Sequence, residues 1–115
     1  MSIESLLNEK IELMKQGCMA EATEKYFAEN ATSDDHNGRK TGSRQEMIDK
    51  MNSFVGSISK VNEITLHYSA INGDVSFTEW TFDFDHQGGG KTHWHEIVRS
   101  VWKDGKIVNE QYFLC

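Results

Sequence analysis

The hydrophobic period of this 115-residue chain changes once, near its middle, and that change limits what it can fold into. Up to Gly56 the apolar residues recur at helical spacing; beyond it they alternate, as residues of half-buried strands do. Ser2 can cap a first helix whose apolar positions are Ile3, Leu6, Leu7, Ile11 and Met14. Gly17 stops that helix, with Lys15 in its last turn, where a cation favours the helix dipole. A second, shorter helix places Met19, Ala22, Tyr26 and Phe27 on one face. Ser43-Arg44-Gln45-Glu46 has the form of a capping box and opens a third helix, with Met47, Ile48, Met51, Phe54 and Val55 at helical spacing up to Gly56.

In the second half, Ile64, Leu66, Tyr68 and Ala70 alternate with polar residues, and Asn72-Gly73 marks a hairpin turn. The next strand runs from about Val75 to His86, with Trp80, Phe82 and Phe84 on one face and Glu79, Thr81, Asp83 and Asp85 on the other. Gly88-Gly89-Gly90 makes a turn into a strand from about Thr92 to Lys103, and Asp104-Gly105 turns into a last strand from Lys106 to Leu114. Helices first and an antiparallel meander second predict an α+β domain with the helices over one face of a curved sheet.

At this length the chain, 1–115, forms one domain with one core. A net charge of -6 argues against nucleic acid and anionic membrane surfaces, since no basic stripe exists to neutralise phosphates. Residues 1–10 hold no apolar run of signal-peptide length, and no stretch is fit to span a bilayer. Cys18 and Cys115 read as reduced thiols, so the expectation is a cytoplasmic protein.

Between helices and sheet lies Phe27 to Gly42, an acidic extended stretch with turns at Gly38 and Gly42. Asp34, Asp35 and His36 fall where a pocket rim is expected, although Asp and Asn are also ordinary turn formers. His93 and His95 alternate with Trp94 and Glu96. A histidine pair two apart on a strand can chelate a metal with Asp34, Asp35 or Glu110, but that spacing is unspecific, and no metal or organic cofactor is expected.

The helix–Gly17–helix start, the run Phe27-Ala28-Glu29-Asn30-Ala31-Thr32-Ser33-Asp34-Asp35 and the tail Val101-Trp102-Lys103-Asp104-Gly105-Lys106-Ile107 together resemble the nuclear transport factor 2-like (NTF2-like) superfamily, in its SnoaL-like and ketosteroid-isomerase-like branch. The resemblance covers nearly the whole chain. It implies a cone-shaped α+β barrel, three N-terminal helices on a strongly curved, mainly antiparallel sheet, with a small-molecule pocket at its open end. It also implies a homodimer packed through the sheet. Such domains include isomerases, polyketide cyclases, dehydratases and non-catalytic binding domains, so fold alone does not give function.

Carried over by position, Asp35 falls where ketosteroid isomerases keep their catalytic carboxylate. Their two enolate donors, a first-helix tyrosine and a protonated aspartate on the penultimate strand, fall here near Lys10 and at Ile97 or Val98. Alignment of the final hairpin puts the His95–Ile97 face inward, together with Glu110 and Tyr112, unless a bulge near Gly90 reverses it. The resulting expectation is Asp35 as base, assisted by His36 or His95 and by Glu110. Tyr26, Met51, Phe54, Tyr68, Trp80, Phe82, Phe84, Ile97 and Tyr112 then wall a pocket for a small apolar or polyketide-like molecule. Isomerisation, cyclisation and dehydration fit that site, and so does ligand binding without chemistry.

Overall fold

The computed structural model describes residues 2–115. Ser2 caps α1 (Ile3–Lys15) by accepting from the Ser5 amide, and Gly17, at φ +79°, follows its end in a conformation that glycine adopts without strain. After α2 (Met19–Tyr26) the chain becomes extended at Phe27 itself, so Phe27 opens β1 (Phe27–Asp34) and does not close the helix. Asp35 and His36 lie just past the end of β1, in the turn that leads to β2 (Lys40–Thr41). Ser43 caps α3 (Arg44–Gly56) as its sequence suggests, but Glu46 reaches back to the amide of Gly42, one residue earlier than in a capping box.

Four long strands follow: β3 (Ile58–Asn72), β4 (Val75–His86), β5 (Lys91–Lys103) and β6 (Lys106–Leu114). The sheet order is β2-β1-β6-β5-β4-β3, antiparallel throughout except where β1 runs parallel to β6. It is a six-stranded mixed sheet with β2 and β3 as open edges, and three helices pack on its inner face. No helix is long and apolar enough to cross a membrane among the described residues.

Trp80, Phe82 and Phe84 stack along the inner face of β4, with ring centroids 5.4 and 5.8 Å apart, and anchor the core with Tyr26, Phe27, Met47 and Ile107. That stripe sets the direction of every neighbour. β4 pairs with β5 without interruption, Trp80 opposite Glu96 and Phe82 opposite Trp94, so Trp94 and Glu96 face inward. His95 and Ile97, opposite Thr81 and Glu79, face outward, which corrects the inward face expected for them.

β3 carries a second reversal. Leu66 pairs with Trp80 and Tyr68 with Glu79, leaving His67 as an extra residue between them. This bulge turns Leu66 inward and Tyr68 outward, although an unbroken strand would hold both on one face. Tyr68 is 75% exposed on the outer surface.

Candidate functional site

A cavity of about 710 Å³ opens between the helices and the inner face of β4, β5 and β6. Phe82, Phe84, Trp94, Phe54, Met51 and Tyr112 form the apolar part of its wall. Phe54 stacks on Trp94 at 5.6 Å and meets Phe84 edge-on at 5.8 Å, joining α3 to two strands. Two further expected wall residues lie elsewhere. Trp80 is in the core beneath, and Tyr26 is buried, donating its hydroxyl to Glu9 at 2.9 Å. Burial, reinforced by the Glu9 carboxylate, pushes the Tyr26 phenol up to about 12.

The floor is a closed polar cluster. Glu110 of β6 is 3% exposed, and Lys10 from α1 approaches it at 3.3 Å. The hydroxyls of Ser100 and Tyr112 each donate to the same carboxylate at 2.6 Å. Burial, then the Glu110 charge, raises the Tyr112 phenol well above its ordinary value, so it stays a donor. At the mouth, the turn after β1 presents Asp35 to Lys50 of α3, 2.8 Å away, and the Lys50 ammonium also lies 5.2 Å from the Tyr112 ring centre.

Glu96 is the exception. It is 6% exposed, it lines the cavity, and no side-chain hydrogen bond reaches it among the described residues. The one base within 4.0 Å is the His36 imidazole, whose Nε2 lies 3.9 Å from Oε2. His36 itself is set edge-on against Trp94, with ring centroids 4.9 Å apart. Burial, with the charges of Glu110 and Asp35 added, pushes the Glu96 carboxyl up to about 8. At neutral pH it is therefore mostly a carboxylic acid, able to donate a hydrogen bond into the cavity.

Of the four expected acid–base residues, Asp35, His36 and Glu110 thus meet at one cavity, while His95 lies on the opposite side of the sheet. There His95 pairs with Glu79, next to His67, which bonds Thr81 at 2.7 Å. Tyr68 and Ile97 border a shallow depression on that outer face. Among the described residues, no three histidine, cysteine, aspartate or glutamate side chains are grouped to hold a metal ion.

Sequence reasoning missed Lys50 and Glu96 and left Lys10 without a partner, yet each carried a signal. Lys10 falls within the stripe Leu7-Lys10-Ile11-Met14, and Lys50 within Met47-Lys50-Met51-Phe54. A lysine at i, i+3, i+4, i+7 spacing with apolar residues is carried toward the core with them. On β5 the face with Trp94, Val98 and Trp102 is the more apolar, and it is the inward one.

No family model and no curated protein matches the chain. Solved structures do. A candidate SnoaL-like polyketide cyclase from Mesorhizobium loti superposes with a TM-score of 0.86 at 24% identity, covering 98% of this chain and 99% of that one. The chain has the NTF2-like fold. An NTF2-like protein of unknown function from Burkholderia xenovorans superposes with a TM-score of 0.77 at 16% identity, over 97% of this chain and 81% of that one. A second candidate SnoaL-like cyclase, from Jannaschia, gives 0.77 at 11% identity, over 95% and 85%. These likenesses are of fold; they assign no role to the residues that line the cavity.

Proposed function

We propose that this NTF2-like domain binds a small apolar carbonyl compound in its cavity and moves a proton on it without a cofactor, as an isomerase, cyclase or dehydratase does. One observation carries this reading: the carboxyl groups of Asp35 and Glu96 line the same cavity, and burial raises that of Glu96 toward its protonated form. Asp35 would take a proton from the carbon next to the carbonyl, and Glu96 would donate its hydrogen bond to the oxygen on which charge develops. Glu96 thereby supplies the group opposite Asp35 that the sequence reading sought in His95 or Glu110. His36, between solvent and Glu96, would return protons, and the Glu110 cluster would hold Tyr112 and the floor rigid.

The test is exchange of α-protons of a panel of cyclic ketones in deuterated buffer, followed by NMR. Exchange should fall by roughly a hundredfold or more in Asp35→Asn. It should also decline as pH rises through about 8, where Glu96 loses its proton. Equal exchange in the variant would remove Asp35 as the base, and binding without exchange would favour a non-catalytic ligand carrier. Pairing of two copies through the outer sheet face belongs to the same proposal. Tyr68, Phe77 and Phe113 are exposed there, and sedimentation reads the assembly mass directly.

A further inference from the structure

Both lysines of the inner cavity are already paired, Lys10 with Glu110 and Lys50 with Asp35. Among the described residues Glu96 has no lysine or arginine within ion-pair distance, only the His36 imidazole at 3.9 Å. A largely buried carboxyl with no side-chain hydrogen bond is stabilised by keeping its proton or by a positive charge brought to it. The proton-transfer reading above uses the first. The walls of the cavity favour the second as well, since Trp94 and Phe54 present aromatic surface and Phe82 and Phe84 extend it. Aromatic faces attract cations, and a weakly hydrated ammonium loses little on leaving water for such a site.

We propose that the cavity also binds an organic ammonium ion, its charge seated at Glu96 and its alkyl groups against the Trp94–Phe54 wall. The volume of about 710 Å³ accommodates a substituted ammonium together with an apolar tail. Binding is an exchange that balances: the ammonium enters, Glu96 ionises, and the Glu96 proton leaves to solvent. The groups facing Glu96 are His36 and Asp35 from the turn after β1, Lys50 from α3, Lys10 from α1, and Glu110 and Tyr112 from β6. Asp35 and Glu110 add to the attraction for a cation, and their own lysines, held in pairs, do not reach Glu96 within ion-pair distance. This ligand class does not require Asp35 to act on carbon. It excludes the carbonyl ligand, which needs the proton that the ammonium displaces.

Calorimetric titration of the intact protein with benzyltrimethylammonium, and with choline against its uncharged carbon isostere dimethylbutanol, tests the proposal. The ammonium probes should bind roughly tenfold or more tightly at about pH 9 than at about pH 6.5. Near neutral pH their binding heat should vary with buffer and report release of about one proton. Glu96→Gln, close in shape and free of the unpaired acid, should lose both effects; Trp94→Leu should lose the preference for choline over dimethylbutanol. The wild-type pH profile alone keeps the proposal falsifiable if a variant folds poorly. Ammonium affinity that is flat with pH, or unchanged in Glu96→Gln, would overturn it. Ketone binding with no ammonium binding would overturn it while leaving the proton-transfer reading intact; ammonium binding without ketone exchange would do the reverse.

Discussion

Glu110 and Glu96 project from adjacent strands into one cavity, both almost fully buried, and their surroundings could hardly differ more. Glu110 has an ammonium and two hydroxyls on its carboxylate. Glu96 feels the charges of both ion pairs but accepts no side-chain hydrogen bond among the described residues, and its nearest base is an imidazole at 3.9 Å. Burial alone therefore does not decide what a carboxyl does. Its partners do: a satisfied carboxylate ties helix to sheet, and an unsatisfied one keeps its proton or waits for a ligand.

The sharpest way to break the comparison is to strip the floor of its cation. Lys10→Met leaves Glu110 buried with two hydroxyls and no counter-charge. Removal of one member of a buried pair costs about 3–5 kcal/mol, measured by denaturant unfolding at neutral pH. The second change acts on the wall and has the opposite sign. Burial pushes the Glu96 carboxyl up to about 8 in the folded protein, from 4.5 for the free group, so the folded state binds the proton more tightly than the unfolded chain. Stability that is present below about pH 4.5 is then lost as pH rises toward 8. Glu96→Gln removes that loss, so the variant should exceed the wild type by a few kcal/mol at alkaline pH and match it in acid. Smallest is the effect on the outer face, where His95→Gln breaks only an exposed pair with Glu79 and should change stability by less than about 0.5 kcal/mol. A large loss there would mean that the outer histidines, not the cavity, carry the weight.

The fold was readable because its determinants are local. The change of period near Gly56, the Ser2 and Ser43 caps and the glycine turns act within a few residues, and the aromatic stripe of β4 needs no partner to be recognised. The site was readable where it hangs on those elements, as with Asp35 after β1 and Phe54 on α3. It failed where one residue decides a face. The turn that pairs Asp85 with Lys91 sets the phase of β5 and so exchanges His95 for Glu96. The extra residue at His67 sends Tyr68 outward. Alternation is equally regular in either phase; only pairing with a strand of known face resolves it.

Glu96 is where the account is most exposed, and its protonation can be observed directly. In protein labelled with carbon-13 at glutamate side chains, with Glu96→Gln assigning the signal, the Glu96 carboxyl resonance followed against pH should titrate with a midpoint near 8. A midpoint in the ordinary carboxylate range would mean that Glu96 is ionised at neutral pH, and the acid–base cavity described above would lose its acid.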